Sequence, residues 1–396
     1  MQRDRSLALA CGGLAAMAAA LGIGRFVYTP ILPVMLTALG WSKSDAGLVA
    51  SANFLGYFVG ALLAGHPAVA GRPRPWLLAA LAISAASTAL MAAPSDITSF
   101  AALRFAGGVA SAFVIVCAST LVLERLSFSG RRSLSAIHFA GVGLGIMISA
   151  VAVSALLASG AGWRSLWIGS GSIAMLAAMM AAWLIPAAGM VTKPSLVKAP
   201  SSGPSRIGAM VVAYGLFGFG YVITATFLVT IVRATADVRA LEPWVWVLVG
   251  LAAIPSVALW SRLGERIGIL NAYAVACVIE AIGVGASVEW VTTSGVCFSA
   301  LLLGGTFMGL TALGFMAARV LSAGNSHQAF GRMTASFSFG QMLGPTLAGF
   351  LSEQSGSFRL ASLIAAAALI AAAALAAWTS RAAENDRRAC LAANGG

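Results

Sequence analysis

Four ionisable side chains, Arg25, Arg104, His138 and Glu280, lie inside long apolar stretches of the sequence. A charge placed in hydrocarbon is costly, so each of them needs a partner, a watery cavity or a position near lipid headgroups. At 1.5 Å per residue, Arg25 falls about 5 Å from the middle of a predicted helix over 7–37, and Arg104 about 9 Å from the middle of one over 97–123. Both are displaced toward the same membrane face, so the two guanidiniums share a depth. The predicted helices of the first half offer no carboxylate at that depth to pair with them. A guanidinium without a counter-ion can hold a carboxylate, sulfonate or phosphate through two parallel hydrogen bonds, and the chemistry this pair suggests is capture of a small organic anion. The competing reading is structural: Arg25 ties its helix to carbonyls of a broken neighbour, and Arg104 reaches out to the headgroups.

Helical spacing supplies polar company at a similar depth. Tyr28 follows Arg25 by one turn, Asn53 and Tyr57 share a face, and Tyr214, Gly218, Tyr221 and Thr224 line one side of a later helix, with Gln341 near the middle of another. The expected substrate-binding set is therefore Arg25, Tyr28, Asn53, Tyr57, Arg104, Tyr214, Tyr221, Thr224 and Gln341, although aromatic stripes in membrane bundles more often pack than bind. His138 and Glu280 are the candidates for carrying a proton. The plainer role for His138 is a hydrogen bond to a loop carbonyl near Arg131 and Arg132; for Glu280 it is a neutral acid bonded within its own half. Gly141, Gly145, Gly340 and Gly344, with Pro345, would allow close approach and slight bending where two halves meet. The run Gly141-Val-Gly-Leu-Gly145 is no dinucleotide fingerprint, because neither a strand nor a βαβ unit surrounds it.

The elements that must position these groups follow from composition. Of 396 residues 60% are apolar and only 9% charged, and the mean hydropathy is +0.92. Soluble domains carry about a quarter charged residues, so the bilayer is the solvent here. Punctuation of the apolar runs gives helices over 7–37, 45–65, 75–93, 97–123, 134–158 and 163–185, then 207–232, 243–260, 268–288, 294–320, 330–351 and 358–378. Twelve crossings leave no room for an extramembrane domain. The expected organisation is a six-helix bundle over 1–187, a linker over 188–206, a second bundle over 207–380 and a tail over 381–396.

Arg3 and Arg5 ahead of an alanine-rich stretch look superficially like a signal peptide, but the apolar run continues unbroken through Leu36. Of the 24 lysines and arginines, Lys43, Arg164, Arg233, Arg239 and Arg359 fall on one side and Arg25 and Arg104 within spans, so the remaining seventeen share the side of the amino terminus. The positive-inside rule makes that side cytoplasmic, with both termini there. It also accounts for the net charge of +12 without a nucleic-acid partner. The five cysteines form no CxxC pattern, and neither a metal cluster nor a nucleophile–base pair is present in the sequence, so no cofactor, metal or enzymatic activity is expected.

Three matches relate the halves: Gly22-Ile-Gly24-Arg25 to Gly218-Phe-Gly220-Tyr221, the Gly141/Gly145 pair to Gly340/Gly344, and Arg104-x-x-x-Gly108 to Gly305-x-x-x-Gly309. Tyr221, opposite Arg25 in this repeat, ranks first among the other candidates. The arrangement resembles the major facilitator superfamily of secondary transporters over essentially the whole chain. GIGRFVYTPILP (22–33), SANFLGYFVGALLAG (51–65), HFAGVGLG (138–145), YGLFGFGYVITATFL (214–228) and GQMLGP (340–345) are similar to the bacterial YbfB/YjiJ-like branch. The resemblance implies an all-α fold of two pseudo-symmetric six-helix bundles in the bacterial inner membrane, rocking about a midplane cavity, with Glu280 on an outer supporting helix. It departs from the superfamily at the loop after the second span, where Gly60-Ala-Leu-Leu-Ala-Gly65-His66 lacks the usual Asp and so the usual charge-relay latch. The expected function is transport of a small organic anion by alternating access, with proton coupling, by a monomer whose other partner is membrane lipid. A proton-driven exporter of amphiphiles and a non-transporting receptor or assembly factor are the alternatives.

Overall fold

The computed structural model describes residues 2–131, 134–186, 204–322 and 326–394, and the regular structure among them is all helical. The first predicted span is not one helix. It consists of α1 (Gln2–Met17), a π-helical turn over Ala18–Ile23, an open turn over 24–27, and α2 (Tyr28–Leu39). Pro30 has no N–H and its ring clashes with the carbonyl one turn earlier, while Gly22 and Gly24 make departure from α-helical geometry cheap. The ladder consequently slips, with Gly24 N–H donating to Ala19 at 2.9 Å and Phe26 N–H to Leu21 at 3.3 Å.

The remaining elements follow the predicted runs closely. They are α3 (Lys43–Ala64), the short α4 (Pro67–Ala70), α5 (Pro73–Leu90), α6 (Ile97–Phe128), α7 (Ser135–Ala158) and α8 (Trp163–Leu184). The second half holds α9 (Pro204–Ala234), α10 (Glu242–Ile267), α11 (Ile269–Glu289), α12 (Thr293–Leu321), α13 (Ser326–Ser355) and α14 (Arg359–Asn394). Polar caps set several starts: Ser42 and Asp45 exchange hydrogen bonds at the head of α3, and Asp96 accepts from Ser99 N–H at 2.9 Å at the head of α6. The Ser99 hydroxyl first, and then this N–H, hold the Asp96 carboxyl below the usual carboxylate range. The predicted linker lies outside the described residues up to position 203. The predicted tail from 381 continues α14 as helix to Asn394, positions 395–396 lying outside the described residues.

Among the described residues ten helical segments are long and apolar enough to cross a membrane, where twelve were expected. The two that fall short are α5 and α13. The reason in α13 is its content of Ser, Thr, Gln and Arg residues, including Gln341.

Glycines decide which helices touch. A Cβ added at Gly60 of α3 would sit 2.6 Å from the Val109 carbonyl of α6, and one at Gly56 would overlap the Phe105 carbonyl. The same holds for Gly141 against Leu14 and Gly145 against Ala18, and for Gly340 against Gly215 and Gly344 against Val222. These last four were expected at the meeting of the halves; they instead pack α7 on the first span and α13 on α9, within each half. Helix geometry explains the difference, since positions two apart point roughly opposite ways. It is Gly143, between the first pair, that meets Gly250 of α10 across the seam, and Gly47 and Gly349 that meet the carbonyls of Pro345 and Lys43.

Gly56→Val should therefore drive α3 and α6 apart and cost about 3 kcal/mol, seen as an earlier thermal unfolding transition in detergent. Gly285→Ala, where an added Cβ meets nothing within 4 Å, should leave the transition unchanged or slightly raise it. Equal transitions in the two variants would rule this packing out.

Candidate functional site: a guanidinium at the seam

The site is organised by the break in the first span. Thr29 N–H turns back to the Phe26 carbonyl at 3.3 Å, which leaves the Arg25 carbonyl without its helical partner. Arg104 of α6 fills that gap: its Nη1 donates to the Gly24 carbonyl and its Nη2 to the Arg25 carbonyl, each at 3.1 Å. Its guanidinium also lies 4.9 Å from the centre of the Tyr28 ring. Two further predicted residues belong to the same scaffold. Asn53 donates to the Arg104 carbonyl at 2.8 Å, and the Tyr28 hydroxyl donates to the Ala46 carbonyl at 2.9 Å.

Arg25 is held differently. It is only 5% exposed, and its guanidinium carbon lies 4.3 Å from the ring centre of Tyr57 and 4.8 Å from that of Phe54. Its Nη2 crosses the seam to donate to Gln341 Oε1 at 3.3 Å, and Gln341 Nε2 in turn donates to the Tyr221 hydroxyl. Arg25 Nε has no hydrogen-bond partner. The ion pairs formed among the described residues are Arg233–Glu242 and Arg359–Glu289, so no acid neutralises Arg25. Nearby, the Thr224 hydroxyl is buried and also without a partner.

The structure thus brings together Arg25, Tyr57, Tyr221 and Gln341 from the predicted set, and places Arg104, Asn53 and Tyr28 one layer behind them. Tyr214 stands apart, about 10 Å along α9 from Tyr221; it donates to the Thr311 carbonyl at 3.3 Å and stacks on Phe337. Sequence reasoning did not single out Phe54, Phe307 and Phe337. Tyr221 lies nearly parallel to Phe307 and Phe337, with centroids 5.8 and 6.0 Å away. Their only signal was membership of aromatic-rich spans, which Phe shares with many packing positions.

The two candidate proton carriers lie deeper in their own halves. His138 is fully buried; its Nε2 is 3.4 Å from the Ser119 hydroxyl and its Nδ1 has no partner, being roofed by Gly13 of α1. Among the described residues, the bond to a loop carbonyl given as its plainer role does not form. Neither carboxyl oxygen of Glu280 has a hydrogen-bond partner in its fully buried position on α11. The neighbouring Thr306 hydroxyl is committed to the Leu302 carbonyl at 2.6 Å.

The bonds that join the halves among the described residues lie at the level of Arg25 or farther from the chain termini. Thr29 donates to the Ala225 carbonyl at 2.6 Å, Ser51 to the Met342 carbonyl at 2.6 Å, and Ser154 to the Pro243 carbonyl at 3.2 Å. At the far end Lys43 donates to the carbonyls of Ser352 and Gly356, beside a bond between Ser44 and Glu353. A cavity of about 700 Å³ opens at that end between α2, α7, α9 and α10, lined by Arg233, Glu242 and Trp246. Below Trp246 comes Phe26, with ring centroids 6.4 Å apart, so aromatic side chains separate this cavity from Arg25.

A family model described as "Uncharacterised MFS-type transporter YbfB" matches residues 17–377. The chain belongs to this family. It is a multi-pass membrane protein of transporter type, and neither its family nor its structural neighbours are enzymes. A mutant of the nucleoside transporter NupG is similar in structure, with a TM-score of 0.72, 16% identity, and coverage of 94% of this chain and 99% of that one. Unsubstituted NupG gives a TM-score of 0.67 at 15% identity, covering 94% and 98%. A bacterial homologue of the human lysosomal transporter Spinster, in an inward-facing and unoccupied conformation, gives 0.68 at 13% identity, covering 95% and 97%. At these identities the likeness is one of fold. Among curated proteins none matches the sequence.

Arg104→Met should remove two charge-assisted bonds and cost the transporter about 3 kcal/mol, whereas Arg25→Met, which loses one long bond and a buried charge, should be neutral or stabilising. Thermal unfolding of both variants in detergent checks this. The reverse order would mean that Arg25, not Arg104, holds the broken span.

Proposed function

We propose that this protein is a secondary transporter of a small organic anion, moved across the membrane by two six-helix halves that alternate in access. The observation that carries the reading is the Arg25 guanidinium: buried at the seam and, among the described residues, bonded to a single neutral partner from the other half and lacking an acid. An anion entering there would replace Gln341 on the fork and supply the missing charge, with Tyr57 and Tyr221 against its body. Binding would bridge the halves, which is what an alternating-access cycle requires of its substrate.

The twelve-span reading is kept. The 18 residues of α5 reach about 27 Å, close to the thickness of the hydrocarbon core. The 30 residues of α13 exceed it, and among its polar residues Gln341 and Thr346 bond to Arg25 and Ser51 of the first half while Ser336 lies against Gly215 of α9. The surplus of basic residues on the side of the termini supports a cytoplasmic position for both. The bonds between halves among the described residues lie at the level of Arg25 or toward the opposite end, and the outer cavity stops at Trp246 and Phe26, which supports reading this conformation as one occluded around Arg25. Residues 1–187 and 207–380 are the two moving bodies, in the inner membrane of a bacterium, as a monomer.

Proton coupling is the second part of the reading. Its motivation is that Glu280 and His138 are buried ionisable groups without strong partners. Glu280→Gln should abolish accumulation driven by a pH gradient in proteoliposomes while counterflow exchange persists. If gradient-driven accumulation survives in both Glu280→Gln and His138→Gln, these groups carry no proton.

For the anion itself, a thermal-shift screen of metabolite carboxylates, sulfonates and phosphates against the purified protein should find stabilising ligands. Binding of the best of them should fall at least about 100-fold in Arg25→Ala and recover only in part in Arg25→Lys, since an ammonium restores charge without the fork. Unchanged affinity in Arg25→Ala would sink the proposal. Preferential binding of cationic amphiphiles would favour the exporter alternative, in which the aromatic seam does the work.

A further inference from the structure

A second cavity, of about 450 Å³, lies far from Arg25, on the outside of the second half where α10, α11 and α12 meet. Its walls are Leu259 and Leu263 of α10, Ile279 of α11, and Leu301 and Leu302 of α12. Leu259 and Leu301 are exposed side chains, so in a membrane the groove faces lipid. Its floor is open because of one residue: Gly305 has nothing within 4 Å of the position its Cβ would take. The polar groups at that depth are already satisfied, the Trp260 indole N–H donating to the Gly305 carbonyl at 2.7 Å and Thr306 to Leu302. Nothing in the apolar part of the groove calls for a polar ligand.

The end of the groove nearest the chain termini is different. Arg262 and Arg266 both line it, one helical turn apart on α10, and both are exposed. Neither forms an ion pair or a side-chain hydrogen bond among the described residues, even with Glu265 between them in sequence. From Trp260 to Arg266 the groove runs about 9 Å along α10. An apolar slot open to hydrocarbon, ending in two free cations at the level of the headgroups, has the shape and charge of an anionic phospholipid: acyl chain in the slot, phosphate on the arginines.

We propose that this groove is a binding site for one anionic phospholipid, held by Arg262 and Arg266. The site is independent of the transported solute and of Arg25; it rests only on the chain's being a membrane protein. The lipid would seat over the seam of α10, α11 and α12 and brace the second half.

The test uses the full-length protein in detergent, delipidated and titrated with phosphatidylglycerol, with phosphatidylethanolamine, and with inorganic phosphate, read by native mass spectrometry and by the unfolding temperature. The expected result is one tightly retained phosphatidylglycerol and a rise of several degrees in unfolding temperature, with little effect of either control. Arg262→Gln/Arg266→Gln should weaken retention at least about 10-fold, the loss expected when two phosphate contacts go. Gly305→Leu should weaken it similarly by filling the slot, while leaving both charges in place. Equal retention of the two lipids, an equal effect of inorganic phosphate, or full retention by both variants would overturn the proposal.

Discussion

The grip of Arg104 on the carbonyls of Gly24 and Arg25 is the interaction on which the middle of this protein depends. A chain that leaves helical geometry within a membrane exposes backbone groups that lipid cannot satisfy, and such breaks persist only where protein supplies the partners. Here one buried guanidinium does so, and is itself located by Asn53 and by the close approach of α3 to α6 at Gly56 and Gly108. The break in turn sets the direction of the next side chain. Arg25 can reach across to Gln341 because the turn over 24–27 carries it out of the helical path.

The two buried arginines therefore divide the roles that sequence reasoning had given them jointly. Both were expected to face an anion, with a structural alternative in which Arg25 did the tying. The geometry places the tying on Arg104 and leaves the unsatisfied charge on Arg25. Type and depth were readable from spacing along the helices. Which of the two would find carbonyls was not, because it turned on a break that the run from Leu7 to Thr37 conceals and that Pro30 and Pro33 only hint at.

Most helix starts were legible to within two or three residues, since loss of apolar character and polar caps such as Ser42 and Asp96 act locally, whereas α6, α10 and α14 run well past their predicted ends because a helix need not stop where its apolar character does. Facing was less so. Gly141 and Gly145 were recognised as a close-packing pair, but the helix they touch depends on the rotation of α7, which only the folded bundle fixes. The partner of Arg25 is 316 residues away, beyond any local pattern; the pseudo-repeat pointed to Tyr221 and so to the right neighbourhood. The repeat misled in one respect, for α9 runs unbroken where the first span breaks. Its Gly218 and Gly220 lack a following proline at the position of Pro30, so nothing drives the ladder to slip.

The aromatic filling of the seam has a consequence for the resting membrane. Arg25, Tyr57, Tyr221 and Gln341 are each at most 5% exposed, and Phe26 and Trp246 stop the outer cavity above them. Little room is left for water beside Arg25 in this conformation. Under the alternating cycle proposed above, an idle copy would therefore not discharge the membrane voltage.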